Sequence, residues 1–143
     1  SDPEMKKAID GIYLKFELEC ARNTRYTVIP EMVALVRELK GRGLKLAIAS
    51  GNHTDSIRAI LPRIGLDGYF DFICGRETVE RNKPAPDQLE AILKTIAADR
   101  KDAVFIGDSI NDENAAKAAG VSFFRLGKGL KKDMDGIRKA LGL

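Results

Sequence analysis

The sequence is poor in the residues that stack on nucleic acids or hold transition metals. It contains no tryptophan, three tyrosines, six phenylalanines, two cysteines and one histidine. So few aromatic rings leave little surface on which bases could stack. Cys20 and Cys74 are isolated and have no nearby histidine, which argues against a zinc site. We expect both thiols to be buried and reduced, and the cytoplasm is the expected location.

Long hydrophobic runs and an excess of one charge are also missing. No apolar stretch approaches the ~20 residues that a membrane-spanning helix needs, and we expect no secretion signal because no basic-then-apolar leader opens the chain. The net charge is +3. Lys128, Lys131 and Lys132 form a local basic run that is too sparse for a nucleic-acid-binding strip. We therefore expect neither nucleic acid nor a membrane as a partner.

Short apolar runs alternate with helical patterns along most of the chain. The predicted strands cover residues 45–50, 70–75, 103–107 and 121–126, and the predicted helices begin at Pro30, near Thr54, at Pro86 and at Asn111, with a last helix over 133–141. The strands are almost wholly apolar, as strands covered on both faces are. This alternation predicts an α/β fold in three layers, with a parallel sheet flanked by helices.

The first 27 residues allow two interpretations. Asp2-Pro3-Glu4 is typical of a helix start. Apolar side chains at helical spacing follow it, namely Met5, Ile9, Ile12 or Tyr13, Phe16 and Cys20. A competing alternation over residues 14–20 is typical of a half-buried strand. The content of Lys and Glu favours one helix over about residues 3–22.

Polar residues follow the predicted strands at the edge where open α/β sheets bind ligands. Ser50-Gly51-Asn52 offers a hydroxyl and backbone N–H groups at a helix start, which suit an anion. Lys83, next to Pro84 in a loop before a helix, is a point positive charge for phosphate oxygens. Asp108 and Asp112 can face one hard cation such as Mg²⁺. Each signal is weak alone, but their order predicts a site for phosphoryl transfer.

These motifs resemble those of the haloacid dehalogenase (HAD) superfamily of phosphatases. Ala49-Ser50-Gly51-Asn52 is similar to the second motif, Lys83-Pro84 to the third and residues 107–112 (Gly-Asp-Ser-Ile-Asn-Asp) to the fourth. Residues 114–120 resemble phosphoglycolate-phosphatase-type members. The resemblance implies a Rossmann-like core over residues 28–143, preceded over residues 1–27 by the remnant of a helical cap and its hinge.

The resemblance also implies a role for each site residue. Ser50 would hold the transferring phosphoryl oxygen together with Gly51 and Asn52. Lys83 would neutralise that oxygen, so Ser50 and Lys83 are the expected catalytic residues. Asp108 would ligate Mg²⁺, and Asp112 would steady the metal shell or Lys83. The implied activity is Mg²⁺-dependent hydrolysis of a small phosphorylated metabolite.

The family's first motif has no match before Ser50. That motif is an apolar strand running into Asp-x-Asp, and its first Asp attacks phosphorus. We therefore expect the nucleophile to lie outside this chain, the chain alone to be inactive, and a second chain or missing segment to complete the sheet. Asp133-Met134-Asp135 matches the motif in letters, but Gly127–Lys132 before it is not an apolar strand, so we interpret it as a helix start.

Two other functions stay open. A non-catalytic phosphate-binding or regulatory module would keep the anion site without turnover. A different Rossmann-like nucleotide binder or receiver-type domain is less well supported, because the sequence has neither a GxGxxG nor a Walker glycine loop.

Overall fold

A five-stranded parallel sheet forms the centre of the chain in a computed structural model, which describes residues 11–14, 30–126, 135–139 and 141. The strand order is β3-β2-β1-β4-β5. The strands are β1 (Gly11–Leu14), β2 (Lys45–Ala49), β3 (Phe72–Cys74), β4 (Ala103–Gly107) and β5 (Ser122–Arg125). Neighbouring strands are all parallel. The predicted α/β fold is confirmed.

Four helices lie between the strands in the part of the chain that the structure describes. They are α1 (Pro30–Gly41), α2 (Thr54–Ile60), α3 (Asp87–Thr95) and α4 (Ile110–Ala119). Short 3₁₀ turns cover Leu61–Ile64, Arg76–Thr78 and Arg100–Asp102, and residues 135–139 are helical. Gly120 ends α4 with a φ of 71°, the left-handed conformation that glycine adopts without steric cost. No helix in the described ranges is long and apolar enough to cross a membrane.

The central strand overturns part of the sequence prediction. Ile12 pairs with Leu46 of β2 on one side and with Val104 of β4 on the other. The predicted helix over residues 3–22 is therefore wrong across Gly11–Leu14. Pairing on both edges satisfies the backbone of this segment, and such tertiary pairing overrides the local helical pattern.

The expectation of an empty central position in the sheet is also wrong. The chain's own β1 lies between β2 and β4, so the sheet is continuous without a further segment. The residues that follow β1 in the sequence are Lys15, Phe16 and Glu17, not Asp-x-Asp. The rest of the predicted cap helix and hinge, Cys20, the basic run at Lys128–Lys132 and Asp133 lie outside the described residues.

Apolar side chains form one layer on each face of the sheet. Successive side chains of β2 point to opposite faces and therefore pack in different layers. Leu46 and Ile48 pack in the layer that contains α1, α2 and Ile137. Ala47 and Ala49 face the opposite layer, which contains α3 and α4. Small side chains on that face let α3 and α4 lie close to the sheet. All five strands run the same way, so the residues that follow them gather at one edge.

Candidate phosphate-binding site

A buried ion pair lies at the edge of the sheet where the carboxyl ends of the strands meet. Lys83 Nζ is 2.9 Å from Asp112 Oδ1, and the two side chains are 6% and 0% exposed. The same ammonium donates to the Ala49 carbonyl oxygen at 3.0 Å and lies 5.6 Å from the centroid of the Phe105 ring. The loop before α3 thus places the Lys83 ammonium between the carboxyl ends of β2 and β4.

The other oxygen of Asp112 is held by the start of α4. Asp112 Oδ2 accepts hydrogen bonds from the Asp108 N–H at 3.2 Å, the Ser109 N–H at 3.1 Å and the Ser109 hydroxyl at 2.8 Å. In return the Asp112 N–H donates to Ser109 Oγ at 3.2 Å, which completes a capping box. Of the two roles that the resemblance allowed for Asp112, this geometry favours support of Lys83.

Gly107 leaves room for that carboxylate. A Cβ at position 107 would lie 2.7 Å from Asp112 Oδ2 and 2.8 Å from Asp112 Cβ. Such distances are shorter than van der Waals contact, so a side chain here would displace Asp112. Glycine is required at the end of β4 for steric reasons.

Ser50 is buried at the end of β2. It is 1% exposed, and its Oγ accepts a hydrogen bond from the Asn52 N–H at 3.0 Å. A hydroxyl that accepts one hydrogen bond keeps its own hydrogen for donation. Lys83 donates to the carbonyl of Ala49, the residue before Ser50. The Ser50 hydroxyl and the Lys83 ammonium therefore both lie at the carboxyl end of β2.

The start of α2 differs from the anion cradle predicted from the sequence. The Thr54 N–H and hydroxyl donate to the Glu77 carboxylate at 2.9 and 3.2 Å, and the Asp55 N–H donates to His53 Nδ1 at 3.1 Å. The Thr54 N–H bond lowers the pKa of Glu77. The N–H groups of Thr54 and Asp55 at this helix start are therefore already engaged by side chains, and the Asn52 N–H donates to Ser50 Oγ. Gly51 is exposed, and a Cβ added to it would meet no atom within 4 Å.

Asp108, the predicted Mg²⁺ ligand, is exposed just after the end of β4. Within the described ranges no group of three or more His, Cys, Asp or Glu side chains could hold a metal ion. Mg²⁺ is commonly bound by one or two protein carboxylates together with water and substrate phosphate oxygens. Asp108 alone could provide one such carboxylate, and its backbone N–H is held by Asp112.

Gln88 at the start of α3 was missed by sequence reasoning. It is fully buried, and its Nε2 donates to the Ser50 carbonyl at 2.7 Å and to the Gly75 carbonyl at 3.1 Å. No motif marks this position, and a glutamine after Pro-Asp at a helix start is ordinarily exposed.

Cys74, at the end of β3, is a free, buried cysteine, as predicted, and burial raises the pKa of its thiol to about 11.

Comparisons with known proteins agree with this architecture. The family model for haloacid dehalogenase-like hydrolases matches residues 1–126. Phosphoglycolate phosphatase 1 of Pseudomonas aeruginosa is 36% identical over 94 residues, which cover 66% of this chain and 35% of that protein. The alignments span 35–46% of the curated relatives' length.

Solved structures extend the likeness. The crystal structure of CbbY from Rhodobacter sphaeroides in complex with phosphate is 30% identical, with a TM-score of 0.62 over 66% of this chain and 43% of that one. An uncharacterized protein from Corynebacterium glutamicum shares the fold with a TM-score of 0.72 at 19% identity, and the match covers 94% of this chain and 96% of that one.

Proposed function

Because the chain belongs to the haloacid dehalogenase-like hydrolase family, we propose that it forms the core of a Mg²⁺-dependent phosphomonoester hydrolase for a small phosphorylated metabolite. The observation that carries the proposal is the Lys83 ammonium, buried beside the Ser50 strand end and fixed by Asp112. The similarity to phosphoglycolate phosphatases and to a phosphate-bound structure supports the substrate class.

Lys83 would neutralise charge on the transferring phosphoryl group. A preorganised cation in a site with little water stabilises a developing charge more strongly than the same cation in bulk solvent. Asp112 keeps Lys83 in place before substrate arrives, so little reorganisation is needed during the reaction. The Ser50 hydroxyl, with the neighbouring Gly51 backbone, would donate to a phosphoryl oxygen.

Asp108 would hold the metal, with Asp112 steadying the same turn. Mg²⁺, when bound, would add positive charge against the phosphoryl oxygens. Asp108 belongs to the segment whose N–H groups bond Asp112, so the metal ligand and the support of Lys83 share one turn of backbone.

The proposed reaction passes through an aspartyl-phosphate. A carboxylate oxygen attacks phosphorus while the P–O bond to the substrate breaks, and the leaving oxygen takes a proton from the second Asp of the first motif. That carboxylate then removes a proton from water, which attacks the acyl phosphate, releases inorganic phosphate and restores the first carboxylate. We propose that the attacking Asp lies outside these 143 residues, since Lys15, Phe16 and Glu17 follow β1 where the family has Asp-x-Asp.

Hydrolysis of para-nitrophenyl phosphate with Mg²⁺ tests the proposal, first with the chain alone and then with residues 11–17 replaced by the first-motif segment of a relative, because β1 already occupies the central position of the sheet. We expect turnover only in the second case, and its loss in Lys83→Ala and Asp108→Ala but not in the exposed control Lys94→Ala. Turnover by the chain alone would contradict the location of the nucleophile. Phosphate binding without turnover in both cases would favour the non-catalytic module, which the residues after β1 also favour.

A further inference from the structure

One buried side chain joins three loops of the site. Gln88 Nε2 lies 2.7 Å from the Ser50 carbonyl oxygen, 3.1 Å from that of Gly75, 3.5 Å from that of Cys74 and 3.4 Å from Asn82 Oδ1. These acceptors lie just after β2, at and just after the end of β3, and just before Lys83. Four oxygen acceptors around one NH₂ group fix the orientation of the amide, because the reversed amide would set its oxygen against them.

The same three loops are also cross-linked around Gln88 by contacts that lie closer to the surface. The Arg76 N–H donates to the Asn52 carbonyl at 2.9 Å, and Asn82 Nδ2 donates to the Arg76 carbonyl at 3.3 Å. Both contacts lie nearer the surface than the fully buried Gln88 amide. Gln88 is therefore the interior anchor of the loops that carry Ser50 and Lys83.

We propose that Gln88 is a positioning residue that sets the distance between the Ser50 strand end and the Lys83 loop. The proposal rests on the proposed function for its consequence in phosphate binding, but the linkage of the loops can be tested by itself. In this proposal Gln88 contacts neither substrate nor metal. It acts only through its hydrogen bonds to Ser50 and Asn82.

Two substitutions separate positioning from packing. Gln88→Met keeps the length and removes the donor. Gln88→Glu keeps the shape, and once its carboxyl is ionised it presents an acceptor to the Ser50 and Gly75 carbonyls. Burial among oxygens raises the pKa of that carboxyl, so acidification restores one O–H donor. Lys94→Met, at an exposed position of the same helix, is the control.

Hydrogen exchange is followed at two amides that report the linkage, Ser50 N–H on the Cys74 carbonyl and Arg76 N–H on the Asn52 carbonyl. We expect protection at both to fall on the order of tenfold in Gln88→Met at every pH, and in Gln88→Glu above the pKa of its carboxyl, with Phe105 of the core strand unchanged. The ratio of Gln88→Glu to wild type should recover as pH falls towards 5, while that of Gln88→Met stays flat.

Binding of inorganic phosphate with Mg²⁺, measured by calorimetry on the same variants, should weaken in parallel. Equal losses of protection at Ser50, Arg76 and Phe105, or no pH recovery in Gln88→Glu, would overturn the proposal. If the wild-type chain binds no phosphate, the proposed function fails, and the exchange data alone decide the role of Gln88.

Discussion

Lys83 and Asp112 form an ion pair of 2.9 Å from which solvent is almost excluded. The pair joins the loop before α3 to the first turn of α4 and lies across the end of the sheet. Taking two charges out of water is costly unless each is matched. Here the Ala49 carbonyl also accepts from the ammonium, and two backbone N–H groups and a hydroxyl donate to the other oxygen of Asp112. The pair is therefore assembled by the fold of the chain itself.

Removing one partner of this pair should be severe. We expect Lys83→Met to lower the free energy of unfolding by ~3–5 kcal/mol, because Asp112 is left buried and uncompensated. Lys83→Met with Asp112→Leu should recover part of the loss. Urea unfolding followed by circular dichroism measures both.

The matched control is Lys40→Met, whose partner Asp71 lies at 3.3 Å in an exposed pair. Its cost should stay below ~1 kcal/mol. Equal losses for Lys40→Met and Lys83→Met would contradict the buried character of the Lys83 pair.

Gly107→Ala tests the close approach of β4 to Asp112. The added Cβ would lie within 2.9 Å of three Asp112 atoms, so we expect a loss of ~1–3 kcal/mol in stability and weaker phosphate binding. Gly41→Ala, where a Cβ meets nothing within 4 Å, should change neither quantity appreciably. A wild-type melting temperature for Gly107→Ala would show that the turn relaxes freely.

Cys74 should make stability fall in alkali. Burial raises the pKa of its thiol from 9.0 to about 11, so the folded state favours the protonated form. This contribution is complete below pH 9 and is lost as pH rises, by ~2 kcal/mol between pH 9 and 11. The measurement is the difference in urea unfolding between Cys20→Ser and Cys20→Ser/Cys74→Ala. Identical pH slopes in the two proteins would be inconsistent with a shifted thiol.

The central position of β1 can be tested through its backbone. Tyr13→Pro removes an N–H from a strand paired on both edges, and Tyr13→Ala keeps it. We expect the proline variant to be less stable than the alanine variant by at least ~1–3 kcal/mol. Equal stabilities would argue that residues 11–14 do not hold this position.

Most of the sheet could be predicted from composition, because each strand is a short apolar run followed by a turn. β4 was predicted with its observed bounds, Ala103–Gly107, and the start of α1 at Pro30 is also confirmed. Gly11–Leu14 was not predicted as a strand, since four residues give too little periodicity against the helical spacing around them. What makes this segment a strand is its pairing with Leu46 and Val104, which local sequence cannot encode.

The site was predicted in part for a similar reason. Strand ends can be located in the sequence, so Ser50, Lys83 and Asp112 could be proposed together, and Lys83 contacts both Asp112 and the Ala49 carbonyl next to Ser50. The contact of Glu77 with the start of α2 and the bridge made by Gln88 join residues far apart in the chain. Neither carries a local pattern, and only the folded arrangement reveals them.

Titration of the ¹⁵N-labelled chain with inorganic phosphate in the presence of Mg²⁺ tests most directly whether Lys83 and the Ser50 strand end form a phosphate site. We predict that the amide signals of Ser50, Gly51 and Asp108 shift with one common dissociation constant, and that Lys83→Ala abolishes the shifts while Lys40→Ala leaves them. Wild-type phosphate binding by Lys83→Ala would contradict such a site. Shifts that cluster instead at the surface groove lined by Arg37, Lys40 and Tyr69 would contradict it equally.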